Sequence, residues 1–181
     1  MDTLQEDTEN SLLPDQVYAR ALQLITNELL SGISDKPTNK AIVNALGMLE
    51  ECLFLNMGRV LLPDRSGKFL KIKYSHGVPL EKRFTTYRLK EGISSFVYES
   101  GQPIYIDDLD TNSMYKGRLA KPLELPYSKP AFSGVPIKSL EGKVIGVLCV
   151  NHGYRNADEI KLTLSILEKT AKIIAQLLPE M

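Results

Sequence analysis

Phe132-Ser-Gly-Val-Pro-Ile137, a polar break at Lys138-Ser139-Leu140-Glu141-Gly142, and Lys143-Val-Ile-Gly-Val-Leu-Cys-Val-Asn151 form the stretch that decides the fold. Two β-rich runs separated by a few polar residues and a glycine read as a hairpin. The second arm is apolar almost without interruption from Val144 to Val150, so neither of its faces can meet water, and it is expected at the centre of a sheet covered on both sides. Gly134 and Gly146 mark close approach, of a helix, another backbone or a ligand.

The rest of the chain supplies the covering layers. Pro14 sits where a helix can begin, and Tyr18, Leu22, Ile25 and Leu29 recur at helical spacing beside a second apolar stripe of Val17, Ala21 and Leu24. Gly32 is expected to end that helix. Ile42, Leu46, Leu49 and Leu53 give the face of a second. An apolar run from Met57 to Leu62 then ends in a Pro63–Gly67 turn, and the next arm alternates, with Leu70, Ile72 and Tyr74 on one side. Phe84 to Leu89 reads as a third strand, Gly92 opens a short helix, and Ile104 to Ile106 is a short strand. From Asp110 to Pro130 the chain is irregular and broken by Pro122, Pro126 and Pro130, and a loop of that length in a compact domain is functional or mobile. The last helix starts near Asp158-Glu159. It carries Ile160, Leu164, Leu167, Ala171, Ile174 and Leu178 on one stripe and Leu162, Ile166, Ile173 and Leu177 on another.

Length and charge narrow the function. The 181 residues fit one core, and the formal net charge of zero argues against a protein whose business is nucleic-acid phosphates or anionic lipid. The basic residues between Arg65 and Lys90 read as a solvated face that protects a sheet edge. No membrane-spanning run occurs, Met1 to Leu13 reads as a disordered polar tail ahead of a domain over 14–181, and a cytoplasmic location is expected. Cys52 and Cys149, the two cysteines, are expected as reduced, buried thiols. His76 reads as a turn histidine. The Asp107-Asp108-Leu109-Asp110 run lacks the spacing of a calcium loop, so no metal is expected.

Ser133-Gly134-Val135-Pro136-Ile137 with Gly142-Lys143-Val144-Ile145-Gly146-Val147-Leu148 resembles the closing hairpin of GAF domains, sensor modules of signalling proteins. Glu91-Gly92-Ile93, Val97 and Ser100-Gly101-Gln102-Pro103-Ile104 are similar to the family's central signature, with Ser95 and Lys90 where glycines are usual. Asn151 to Glu159 resembles a degenerate Asn-Lys, Phe, Asp-Glu pattern, with His152 in place of the lysine. The two leading helices and Asn56–Leu62 look most like the sensor domain of nitrogen-fixation transcriptional activators. The resemblance spans residues 15 to 178. It implies an α+β fold: a central antiparallel sheet, the first two helices and the last on one face, and a ligand pocket under the 110–130 lid on the other.

Such a pocket would draw its walls from Arg88, Gly92, Ser94, Ser95, Tyr105, Asp107, Tyr115, Lys116, Arg118, Phe132 and Ser133. Aromatic surface, hydroxyls and helix N–H groups would orient a ligand, and Arg88, Lys116 and Arg118 would neutralise a carboxylate or phosphate. The expected ligand is therefore a small anionic metabolite, with cyclic nucleotides and 2-oxoglutarate both open, and no cofactor is specified. No general base pairs with a nucleophile here, so binding without turnover is expected. The doubly striped terminal helices imply a homodimer, with Leu24, Ile166 and Ile173 as contributors. Two alternatives stand beside the sensor: a dimerisation module without a ligand, and a free methionine sulfoxide reductase of the same fold, which would need a reactive thiolate at the pocket.

Overall fold

A computed structural model describes residues 13–119, 121 and 124–179. Of the expected tail, all but Leu13 lies outside the described residues. In chain order the elements are α1 (Pro14–Ser34), α2 (Thr38–Leu53), β1 (Asn56–Pro63), β2 (Phe69–Ser75), a 3₁₀ turn (Leu80–Lys82), β3 (Thr86–Arg88), α3 (Gly92–Ser100), β4 (Ile104–Ile106), β5 (Ala131–Lys138), β6 (Val144–His152) and α4 (Ala157–Leu177). The strands form one antiparallel sheet in the order β3-β2-β1-β6-β5-β4. β6 lies inside it, between β1 and β5, as its unbroken apolar run requires.

Strand parity sorts the side chains into two cores. Val60, Val135, Ile137, Leu148 and Val150 face a layer of α1, α2 and α4, anchored by Ile25, Leu29, Leu46, Leu49, Leu167 and Ile174. Leu61, Phe132, Val147 and Cys149 face the other way, onto Ile93 and Val97 of α3 and onto Leu109 and Leu125 of the loop that follows β4. The α+β architecture is the one expected. α1 and α4 lie side by side and parallel: the Tyr18 hydroxyl meets Thr163 Oγ1 at 3.0 Å near their starts, and Gly32 approaches Leu177 near their ends.

Three local expectations are corrected by tertiary packing. Gly32 does not end α1, which runs on to Ser34. A Cβ at Gly32 would stand 2.7 Å from the Ala41 Cβ, so the glycine lets α1 and α2 cross closely. Tyr74 does not share a face with Leu70 and Ile72. The register steps from Val60↔Tyr74 to Leu61↔Ile72, a bulge at Lys73 that turns Tyr74 to the helix side. The third strand shrinks to Thr86–Arg88, and Phe84 is 85% exposed in the turn before it.

Gly146 is where close approach is least negotiable, because an added Cβ would lie 2.7 Å from the Leu61 carbonyl oxygen of the paired strand and 2.7 Å from Leu62 Cδ2. The backbone oxygen cannot turn aside as a side chain could. Gly146→Ala is therefore expected to cost about 1–3 kcal/mol, the usual penalty of overpacking, read from urea unfolding. A variant as stable as wild type would contradict this packing.

The start of α4 has a local explanation. Asn156 Oδ1 accepts from the Glu159 amide at 2.9 Å and Glu159 Oε2 accepts from the Asn156 amide at 3.0 Å, a reciprocal cap that the Asp158-Glu159 pattern serves.

Candidate functional site

On the sheet face away from α1, α2 and α4, a cleft opens between α3 and the loop after β4. Its floor is Arg59, Tyr87 and Phe132; one wall is Glu91, Gly92, Ile93 and Ser94, and the other is the segment Tyr115–Leu119. Backbone conformation sets the first wall. Lys90 and Gly92 both have positive φ, 67° and 78°, and the Lys90 amide donates to Ser95 Oγ at 2.6 Å, which holds the turn that opens α3. The facing segment lies close, since a Cβ on Gly92 would sit 3.5 Å from the Met114 carbonyl oxygen and 3.6 Å from Lys116 Cγ. The open volume is about 30 Å³. The cleft is narrow at its floor and open to solvent at its mouth.

Six of the residues expected at a pocket meet here: Gly92, Ser94, Tyr115, Lys116, Arg118 and Phe132. The structure places the other five elsewhere. Arg88 is exposed and leans on Glu91 at 3.7 Å, Ser95 serves the turn and donates to Glu99 Oε2 at 3.1 Å, and Asp107 is exposed just past β4. Tyr105 and Ser133 pair across β4 and β5 but point to the helix side of the sheet. There Ser133 Oγ bonds His152 Nε2 at 2.8 Å, and the Tyr105 ring stacks on the imidazole at 5.5 Å. Because His152 Nδ1 must donate to the Gly153 carbonyl at 2.8 Å, Nε2 is the acceptor and the serine hydroxyl donates. The imidazole is neutral, its pKa pushed down to about 4 chiefly by burial.

The lid cation Arg118 is already engaged, with Nη2 on Glu91 Oε2 at 2.8 Å. A different cation dominates the floor. Arg59, 2% exposed, sits mid-strand on β1 and turns to the cleft with Leu61, opposite Cys149 of β6. Its Nη1 donates to the Met57 carbonyl at 2.8 Å and to Asn151 Oδ1 at 2.9 Å, and its guanidinium lies 5.6 Å from the Phe132 ring centroid. Among the described residues no carboxylate comes within 4 Å of it. Apart from each other, Nε and the buried Tyr87 hydroxyl meet no hydrogen-bond partner among the described residues. Burial raises the pKa of Tyr87 and of Tyr115, and the Arg59 charge opposes both shifts. Sequence reasoning passed over Arg59 as part of an apolar run. The signal that could have found it is a lone arginine between Gly58 and Val60, inside a strand otherwise fit for burial.

Cys149 lies on this side of the sheet, wholly buried, its Sγ 3.6 Å from Ser94 Oγ, and burial raises its pKa. Cys52 packs on the opposite core. Neither cysteine is paired. Among the described residues no three His, Cys, Asp or Glu side chains gather to hold a metal, and no helix is long and apolar enough to cross a membrane.

An antiparallel sheet with three long helices on one face and a small polar cleft under a loop on the other is the architecture of a known class of modules. The chain belongs to the GAF domain family, whose family model matches residues 42–178. It is 27% identical over 143 residues to the Nif-specific regulatory protein of Enterobacter agglomerans, covering 77% of this chain and 27% of that protein. With the nitrogen fixation protein AnfA of Azotobacter vinelandii it shares 29% over 152 residues, 83% of this chain and 28% of the other. The chain thus spans only about a quarter of the length of these relatives. In structure it is similar to the A. aeolicus nlh2 GAF domain in an inactive state (TM-score 0.74, 20% identity, 90% of this chain and 96% of that one). It is also similar to a free methionine-R-sulfoxide reductase from Neisseria meningitidis in complex with its substrate (TM-score 0.65, 18% identity, 90% and 86%). α1 lies before the family match yet packs with α2 and α4 as part of the same core.

Proposed function

We propose that this chain is a non-enzymatic sensor domain, residues 14–181, that binds a small anionic metabolite under the loop after β4 and passes occupancy to α1 and α4. The observation that carries the reading is the charge of the cleft: Arg59, Lys116 and Arg118 line it against the single carboxylate of Glu91. Kinship with Nif regulators supports a place in transcription control, and the formal net charge of zero argues against direct contact with nucleic acid or an anionic membrane. The enzyme alternative is disfavoured because Cys149 is a buried, hard-to-ionise thiol and Cys52 lies across the sheet.

Occupancy should register as stability. A metabolite held at a hundred times its dissociation constant stabilises the fold by about 2.7 kcal/mol, a rise of roughly 5–10 °C in Tm for a chain of this size. Thermal melts against a panel of nucleotides, keto acids and dicarboxylates test this. If none shifts the melt, the ligand-free dimerisation module is the better account.

The same reading includes a homodimer through the terminal helices. On α1, Leu24, Leu30 and Ile33 are 45, 46 and 62% exposed, an outer apolar surface that the monomer leaves uncovered. Ile173 is half-buried, whereas Ile166 is 3% exposed within its own core and has nothing left to offer a partner. Sedimentation at tens of micromolar should give about twice the 20.2 kDa chain mass. A single species at the chain mass would refute the dimer.

A further inference from the structure

Arg59 reaches the cleft only because β1 is irregular. Asn56 pairs with Asn151 and Arg59 with Cys149, so Met57 and Gly58 together lie against the single residue Val150, a bulge of one extra residue. Without that residue, strand alternation from Asn56 would set Gly58 opposite Cys149 and send the Arg59 side chain to the helix side of the sheet. The bulge therefore aims the guanidinium. The guanidinium in turn holds the bulge. Met57 sits in the left-handed region at φ 50°, which residues other than glycine avoid, and its carbonyl accepts from Arg59 Nη1 at 2.8 Å. The same few residues reach the helical layer. A Cβ on Gly58 would stand 3.3 Å from the Leu46 Cβ of α2, so the bulge rests on that helix. Just before it, Phe54 closes α2 in the left-handed conformation at φ 55°, and the Leu53 carbonyl is one that Arg155 holds. Three non-glycine residues among those described have positive φ: Phe54 and Met57 bracket this link, and Lys90 forms the cleft wall. Backbone in such sparsely populated conformations persists only where its surroundings enforce it, and it gathers at switches and ligand clamps.

We propose that the Met57-Gly58 bulge is the device that couples the cleft to the helical layer. Arg59 holds it through the Met57 carbonyl. An anion that draws the guanidinium into the cleft takes that donor away, and the bulge relaxes toward regular strand. The end of α2 then moves, and with it the Leu53 carbonyl through which Arg155 ties α2 to Tyr18 of α1. The inference rests on the sensor reading for its anion and adds how occupancy leaves the site. The hold of Arg59 on the bulge needs no ligand and is tested without one.

The test uses the full chain and compares Met57→Gly with Met57→Ala, since both lose the methionine side chain and they differ chiefly in backbone preference. With Arg59 present, Met57→Gly should melt about 2–4 °C above Met57→Ala, because only glycine enters the left-handed region freely. In an Arg59→Met background the bulge is no longer held, the segment becomes ordinary strand, and the order should invert. Arg59→Gln, shorter and uncharged, serves as the background if Arg59→Met does not fold. The same margin of glycine over alanine in both backgrounds would overturn the hold of Arg59 on the bulge. Hydrogen exchange reads the coupling onward: the Phe54 and Leu55 amides, bonded to the Glu50 and Leu49 carbonyls of α2, should exchange at least about tenfold faster in Arg59→Met, and the β5 amides less so. Acceleration confined to β1 would overturn the link to the helices. Either failure leaves the sensor reading standing, and melts in which no anion acts would remove that reading while leaving the grip of Arg59 on Met57 intact.

Discussion

Lowering the pH from 7 toward 4 is expected to remove about 3 kcal/mol of folding stability through His152 alone. The side chain is fully buried on the helix side of the sheet, and burial is the main reason its pKa is pushed down to about 4 from an ordinary 6.5. The hydrogen bond to the Gly153 carbonyl works in the opposite direction, and Arg155 adds to the depression. Between those two values the unfolded chain binds more protons than the folded one, so stability rises with pH across the window. The contribution is complete above about pH 6.5 and is lost as pH falls through the folded value. A gap of two and a half pKa units corresponds to roughly 3 kcal/mol. Carboxylates titrate near the same pH, with Glu28 held low by hydrogen bonds from Lys36 and Asn44, so the wild type is to be compared with His152→Gln. Urea unfolding from pH 7.5 to 4.5 should give the wild type the steeper loss. Parallel curves would show that the imidazole is not held neutral.

Replacing Arg155 by leucine should cost about 2–3 kcal/mol and loosen α1 specifically. Arg155 precedes α4 and ties the three helices of one face together: its guanidinium donates to the Tyr18 hydroxyl on α1 and to the Leu53 carbonyl at the end of α2. Tyr18 carries the connection on to Thr163 of α4. Charge-assisted bonds of this kind are each worth about 1.5–3 kcal/mol, discounted here because the arginine is only part-buried. Hydrogen exchange should accelerate in the first turns of α1 more than in the sheet. A loss below about 0.5 kcal/mol with unchanged exchange would mean that apolar packing alone docks the helix.

The hairpin from Phe132 to Asn151 was legible because hydrophobic patterning and turn chemistry agree there, and β6 takes the interior place that its unbroken run demands. The helices were legible from their stripes. What escaped depends on partners distant in sequence. The bulge at Lys73, which turns Tyr74 over, depends on pairing with β1. Gly32 has the composition of a helix stop and serves instead as a crossing point, because Ala41 is its neighbour.

Site residues divide along the same line. The family-like segments Gly92–Ser94 and Tyr115–Arg118 converge on the cleft. Tyr105 and Ser133 were grouped with them by proximity along the chain, but strand parity sends both to the other face, where His152 completes a separate polar cluster. Parity alone would have separated Ser133 from Phe132. Arg59 was hidden by its surroundings: in a window dominated by Met57, Val60, Leu61 and Leu62 a single charge barely alters the pattern, and only the fold shows that no carboxylate meets it.

Whether the cleft is an anion-binding sensor site is tested most directly by native mass spectrometry of the chain purified, without unfolding, from the cells that produce it. The account predicts a one-to-one adduct with a small anionic metabolite on the wild-type protein, lost in Arg59→Met and lost after unfolding and refolding in clean buffer. A wild-type spectrum that shows only the bare chain, or an adduct retained in full by Arg59→Met, would contradict it.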